Sequence, residues 1–410
     1  MSCTAQCSCT PGGYDGAVPL ILCGIDEAGY GPLLGPLCVS MATLRIDDWT
    51  EGEKAPDVWK LLRKAVAKAG TGAPSAAAAA KAAAPAKAAA ATIAKKKASK
   101  PRASAGAGRI MVDDSKKLKL ANDGKKHPLT HLERGVLSFL LCRELDAADE
   151  HACEVPASDA ALLRALGVTI PSQEWYHPEG VWSCPCACTA GELLIGANVL
   201  RAAMSSAGVS CIGMTCRAMC EREFNEVVHA AGTKAAATEA ALVSHLWYAW
   251  EKWGRRESAA DAGARASGDS SPAPEGTSDE AGATSLRVVC DRQGGRTQYG
   301  GMLSRAFPEA AVTTLEEMPE RSRYEVSTRE RSMAVQFMPE AESRHMPVAL
   351  ASMTAKLVRE TLMGRFNRYW NARLPELKPT AGYRQDGWRW LNDAAAVLTG
   401  AEREGMIRRA

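Results

Sequence analysis

The chain has 410 residues, 46% hydrophobic and 24% charged, with a formal net charge of +3. This is an ordinary globular composition and excludes a polycation, so any affinity for nucleic acid has to come from a local basic face. There is no apolar run of about eighteen residues, which argues against a transmembrane helix and a membrane partner.

The N-terminal segment MSCTAQCSCTPGGYDG lacks the basic and then apolar regions of a secretory signal, and fourteen cysteines are scattered along the chain. A reducing, cytoplasmic location is therefore expected. Cys184, Cys186 and Cys188 lack the two-residue spacing of a zinc half-site, and Cys3, Cys7 and Cys9 sit in a polar leader. Both groups read as buried or incidental thiols, with structural zinc as the alternative.

In chain order, residues 1–17 form a small, polar leader expected to be disordered. LILCGID (20–26) and LCVSMATLRI (37–46) read as strands joined by a glycine- and proline-rich link. VWKLLRKAVAKAG has helical spacing and ends on Gly70. Residues 71–108 are rich in Ala, Lys, Pro, Gly and Ser and predict a disordered insertion. Its basic run (Lys95, Lys96, Lys97, Lys100 and Arg102) reads either as a phosphate-holding segment or as a solvated linker.

Folded character returns at RIMVDDSKKLKL (109–120). Helices are predicted over 129–145, over 158–167 with Ser158 as cap, near 220–230 and over 235–253. VSCIGMTCRAM (209–219) reads as a strand. Residues 255–284 predict a second disordered insertion, followed by the buried strand LRVVCD (286–291). TQYGGMLSRAF reads as a helix, AVTTLEEM and RSMAVQFM as strands. A long helix is predicted over 345–374 and a last one near Asp386. Trp247, Trp250 and Trp253, at helical spacing, read as core or contact residues. Strands and helices interleave, as in a mixed α/β core.

Phosphodiester cleavage at neutral pH needs a nucleophilic hydroxide and relief of charge on the leaving oxygen, which two divalent ions roughly 4 Å apart supply. Hard cations want oxygen ligands, so the signature is clustered Asp and Glu. Asp26 and Glu27 at the end of the first strand, and Asp291 at the end of LRVVCD, can meet if those strands are neighbours. Adjacent strand residues point to opposite faces, so both Asp26 and Glu27 reach one site only if the strand ends there.

GIDEAGYGPLLGP (24–36) resembles the opening motif of the type 2 ribonucleases H, in which an Asp-Glu pair precedes Gly-Arg/Lys-Gly-Pro. DDSKKL (113–118) resembles their Asp-Ser-Lys-Lys-Leu motif, and VVCDRQ (288–293) their third-carboxylate strand. ESRHMPVALASMTAKLVRE (342–360) resembles the segment with the fourth carboxylate and an Ala-Ser-x-x-Ala-Lys helix, and GYRQDGWRWL (382–391) stands where the family has a Gly-Tyr pair. The order of these motifs is more specific than any one of them.

The resemblance implies an α/β, ribonuclease H-like mixed sheet flanked by helices. The catalytic domain would span 18–375 around the two insertions, with a C-terminal helical extension over 376–410 beside the substrate groove. It implies an endoribonuclease that uses two ions, Mg2+ or Mn2+, on RNA–DNA hybrids or on ribonucleotides embedded in DNA; a monomer is expected, with the oligomeric state left open by the sequence. Asp26 would bridge the ions, Glu27 and Asp291 would hold the leaving-group ion, and Glu342 would hold the ion that activates water. The backbone of Gly29, Tyr30 and Gly31 would approach the ribose 2′-hydroxyl. Ser115, Lys116 and Lys117 would contact phosphates, and Tyr383 would stack on a sugar.

Three positions depart from the family pattern. Glu342 replaces Asp, with Glu340 as a rival ligand; Tyr30 replaces Arg or Lys; and the sequence after Tyr383 is unlike the usual one. Two other readings stay open: a nucleic-acid-binding relative that no longer cleaves well, and a related metal nuclease with a different substrate.

Overall fold

A computed structural model describes residues 19–50, 52–70, 108–122, 124–144, 154–180, 182–256 and 285–409. The expected leader, the Lys-rich run and almost all of both expected insertions lie outside the described residues.

β1 (Leu20–Ala28) is buried on both sides: Leu20 and Leu22 enter one core, while Ile21, Cys23 and Ile25 enter a second. A continuous apolar run is what a central strand covered on two faces requires. It pairs antiparallel with β2 (Leu37–Ile46). Next comes a single helical turn, α1 (Val58–Leu61), capped by Asp57, and then the two-residue β3 (Val66–Ala67). The helix expected up to Gly70 is thus cut short. The carbonyls of Ala65 and Ala67 accept the amides of Ile110 and Val112, pairing β3 in parallel with β4 (Ile110–Met111). Long-range pairing here outweighs local helix propensity.

α2 (Ser115–Leu118), α3 (Thr130–Leu141) and α4 (Asp159–Ala165) follow, the last capped by Ser158 as expected. α5 (Ala190–Ser206) lies outside the expected elements, although its capping box, Thr189 with Glu192, is a sequence-level helix start. β5 (Val209–Met219), α6 (Glu221–Ala231) and α7 (Ala235–Trp253) fall where the periodicity places them. On α7, Trp250 is buried and Trp247 is exposed, each with its ring near Phe307. β6 (Ser285–Asp291) and α8 (Gly300–Ala306) precede three strands, β7 (Ala311–Met318), β8 (Arg321–Ser327) and β9 (Ser332–Met338). β8 was hidden by its charged outer face; Ser322, Tyr324 and Val326 point inward.

The main sheet has the order β5-β2-β1-β6-β9-β8-β7. β6 runs parallel to both β1 and β9, and the other pairings are antiparallel. The chain therefore adopts the α/β architecture expected for it, a mixed sheet flanked by helices. α9 (Met346–Arg373) begins with Pro347 in its first turn and is buried through most of its 28 residues, against β1 and β2. Two short helices follow, α10 (Arg384–Asp393) and α11 (Gly400–Met406). No helix among the described residues is long and apolar enough to cross a membrane.

The start of α9 presses directly onto β1. A Cβ on Gly24 would lie 2.1 Å from the Val348 amide nitrogen and 2.2 Å from the Pro347 carbonyl carbon. Backbone cannot yield as a flexible side chain does, so Gly24→Ala is expected to cost about 3 kcal/mol. The measurement is the urea-unfolding midpoint; an unchanged midpoint would show that α9 does not rest on the strand there.

Candidate active site

The site begins at the seam between β1 and β6. Ile25 stands opposite Cys290 in parallel register, so Asp26 and Asp291 follow side by side. It is β6 that ends at this point; β1 runs on through Glu27 to Ala28, paired only with β2. The expectation that β1 stops at Asp26 is corrected accordingly: Glu27 comes to the site because the β6 edge of β1 is open from Asp26 onward.

The fourth acid is brought in by the turn after β9. Asp291 and Met338 are partners across β6 and β9, and the Asp291 carboxylate accepts the Ala341 amide at 3.0 Å. That bond pins a one-turn 3-10 helix, Ala341–Ser343, which carries Glu342 half-buried. Glu340 is exposed and holds the left-handed corner (φ 51°) that lets the turn fold back.

The four acids act on one another. Burial, then Glu27 and Asp291, push the Asp26 carboxyl well above the usual range, against the opposing hydroxyl of Ser352. Burial and Asp291 push Glu27 up to about 7, with Lys116 pulling it down. Burial also raises Asp291 and Glu342, and Lys116 again opposes the rise in both. Lys116 is thus the cation facing this acid group. Asp114, which the sequence reading passes over, is a fifth acid at the rim: its charge bears on both Asp291 and Glu342.

The DDSKKL segment divides its labour. Asp113 is buried and accepts the Ala69 amide, the Asp114 amide and the Lys117 ammonium at 3.0, 2.8 and 3.1 Å. Lys117 is therefore engaged with Asp113, and its exposed end lies beside the site. Asp114 caps α2 by accepting the Lys116 amide at 2.9 Å. The buried Ser115 hydroxyl accepts from Ser352 at 3.1 Å, tying α2 to α9 next to Asp26.

The Gly29-Tyr30-Gly31 stretch is held from beneath by two buried arginines. Gly29 takes a φ of 92°, and a Cβ there would lie 2.5 Å from the Arg359 Nε. Arg408 donates to the Gly29 carbonyl and, at 2.7 Å, to the Tyr30 carbonyl. Arg359 donates to the Leu34 and Ala381 carbonyls at 3.1 and 3.0 Å. Buried Glu221 accepts from the Gly35 amide and the Tyr176 hydroxyl at 3.1 and 2.7 Å. Gly31 is open, with nothing near the position a Cβ would take. The Tyr30 ring is exposed, and the Lys234 ammonium lies over it, 5.1 Å from the centroid.

The C-terminal helices close on the same loop: the Gly382 carbonyl accepts the Leu33 and Leu34 amides, and the Leu33 carbonyl accepts the Arg408 amide. Tyr383, half exposed just before α10, has the Lys356 and Arg359 cations 6.0 and 5.8 Å from its ring. Ser352, Lys356 and Arg359 share one face of α9 at spacings of four and three, so a single helix face runs from the acids to the loop. The resemblance marked this helix but not these contacts, and nothing in the spacing of Arg408 or Lys234 flags either residue.

The chain matches no family model and no curated protein. Solved structures similar to it include two of Bst-RNase HIII, one of a single-residue mutant and one in complex with Mn2+. Each is 11% identical with a TM-score of 0.30, over 100% and 99% of this chain respectively and 72% of the other. A TM-score that low carries no inference about this chain.

Cys184, Cys186 and Cys188 surround a different acid. The Glu133 carboxylate is buried and accepts the amides of Cys186, Ala187 and Cys188 at 2.7, 2.6 and 3.0 Å. Burial and then Glu133 push the Cys184 and Cys186 thiols up to about 12 and raise Cys188 further. A carboxylate at the centre of the turn opposes the thiolate form that zinc ligation needs.

Among the described residues, no three of His, Cys, Asp and Glu are arranged so that they could hold a metal ion. The chemistry of the four acids is nevertheless that of ligands for a hard divalent cation: they are oxygen donors that repel one another, and an ion would relieve the repulsion. Because Glu27 is raised from 4.5 to about 7, the folded chain binds more protons than the unfolded one between those values. Its contribution to stability therefore falls as pH rises through that window. A cation competes with those protons, so a hundredfold excess over Kd should stabilise by about 2.7 kcal/mol at pH 8 and far less at pH 5. Thermal melts with Mg2+ or Mn2+ read this directly; equal shifts at both pH values would place the ion elsewhere.

Proposed function

We propose that the protein is a metal-dependent nuclease of the ribonuclease H type, hydrolysing the RNA strand of RNA–DNA hybrids or ribonucleotides embedded in DNA. The observation that supports it most is the placement of Asp26 and Asp291 side by side, one residue past the last β1–β6 pair, with Glu27 and Glu342 in electrostatic reach. A binding module has no need of buried like charges, which are costly unless a cation joins them.

In this reading Asp26, Glu27, Asp291 and Glu342 would hold Mg2+ or Mn2+. When bound, two such ions supply a nucleophile at neutral pH and stabilise charge on the leaving oxygen. Lys116 faces the acids and would meet a substrate phosphate arriving there. Ser352 and Ser115, tied to each other, hold α9 and α2 around Asp26. Gly29, Tyr30 and Gly31 form the surface against which a ribose would rest, since no Cβ stands above Gly31. Tyr383 offers a half-exposed ring to the next sugar. The ten described cysteines are free thiols, in keeping with a reducing cytoplasmic compartment.

A second reading is favoured by one specific observation: no three acids among the described residues are arranged so that they could hold a metal ion. A nucleic-acid-binding relative with weak cleavage would show the same feature. One experiment separates the two readings. Purified protein is given a labelled RNA–DNA hybrid and a DNA duplex carrying one ribonucleotide, with Mg2+ or Mn2+. Cleavage of at least one is expected, falling about a thousandfold in Asp26→Asn, which corresponds to a loss of about 4 kcal/mol in transition-state stabilisation. Binding without cleavage in either metal would establish the second reading instead.

A further inference from the structure

Tyr30 occupies the place where the resembled family carries a cation, and the structure puts a cation beside it from elsewhere in the chain. Lys234 stands just before α7 and extends over the Tyr30 ring, 5.1 Å from its centroid. It is half-buried, and the charges that act on it, Arg408 and Arg384, are both positive. Burial and those two charges hold its ammonium below the ordinary lysine range. Among the described residues, no carboxylate is one of the groups that shift it.

Three further features make this a place for an anion. Arg408 is almost wholly buried beneath the same loop, and its Nε has no partner among the described residues. Arg359, fully buried, likewise has Nε and Nη1 without partners, and its Nε is the atom a Cβ on Gly29 would strike. Against these two guanidiniums the buried cluster holds one acid, Glu221. The surplus positive charge lies directly behind Gly29 and Tyr30. On the outside, Arg384 and Trp388 are exposed on the first turns of α10, four residues apart on one face. Cations interleaved with exposed rings are what a groove for a nucleic-acid backbone presents.

We propose that Lys234, seated on Tyr30 and seconded by Arg384, is the side chain that holds a backbone phosphodiester of the nucleic acid beside the Gly29-Tyr30-Gly31 loop. This deepens the nuclease reading and rests on it. The charge is moved from the loop to the start of α7, and Tyr30 becomes the platform that orients it. Such a contact is insensitive to sequence and acts through substrate affinity.

The test uses the full chain with Lys234→Ala and Lys234→Arg, first as active enzyme and then in an Asp26→Asn background that leaves the duplex uncut. Binding and cleavage of the single-ribonucleotide duplex and the hybrid are followed from low to moderate salt, with thermal melting as a check on folding. Lys234→Ala is expected to weaken binding about tenfold and to raise KM with kcat nearly unchanged. It should also flatten the slope of log Kd against log salt by about one. Lys234→Arg is expected to restore both. Equal Kd and slope in parent and Lys234→Ala, while the parent binds and cuts, would overturn this inference and leave the nuclease reading standing. A parent that neither binds nor cuts would overturn that reading, and this inference with it.

Discussion

The parallel pairing of β1 with β6 is the constraint on which everything at the site depends. It joins segments far apart in the sequence, and its register sets Ile25 against Cys290 so that Asp26 and Asp291 emerge together. Two carboxylates side by side in a buried setting repel: burial chiefly raises Asp26, and Glu27 and then Asp291 add to the rise. Such an arrangement persists only if the surrounding structure fixes both strands more strongly than the charges push them apart. The apolar residues of β1 provide that by entering two cores at once.

α9 is the second fixed part, because one of its faces serves both halves of the site. Its start lies against Gly24, at a distance only a glycine permits, which sets the depth of the helix relative to β1. From that depth Ser352 reaches the acids and Ser115, while Arg359 reaches the Leu34 and Ala381 carbonyls. Lys356, between them, pairs with Glu360 at 2.8 Å, and Glu360 also pairs with Lys119 at 2.8 Å just after α2. These half-shielded pairs favour one docking of α2 on α9 more than they add stability.

Much of this was legible in the sequence where one local signal sufficed. The apolar run LILCGID, the strand LRVVCD and the long pattern over 345–374 each specify their element and its burial. Failures came where a distant partner decides the outcome. Residues 62–70 carry helical spacing, yet the amides of Ile110 and Val112 claim the carbonyls of Ala65 and Ala67. Glu27 shares the site because β6 stops, a fact about another strand. Arg408 and Lys234 have no periodic or motif signal, since their roles arise from what the fold sets around them; Asp114 stands inside the DDSKKL motif, which could have flagged it. By contrast, the capping box at Thr189 and Glu192 was present in the sequence and would have located α5.

The acid group and the basic loop stand at opposite electrostatic extremes, and the fold keeps them separate with few direct ion pairs. Among the described residues, Lys116 opposes the rise of Glu27, Asp291 and Glu342, and these acids stay above the usual carboxylate range despite it. Arg359 and Arg408 outnumber Glu221, so the loop keeps its appetite for an anion. Had the arginines reached the carboxylates, both would be neutralised and neither surface would bind anything. The loop prevents this: its carbonyls at Gly29, Tyr30 and Leu34 take up the guanidinium donors from below. A polar backbone, which carries no net charge, thus takes up some of the guanidinium donors without cancelling the cations. On the function proposed above, a substrate that offers phosphates, with divalent ions in attendance, would complement both surfaces at once.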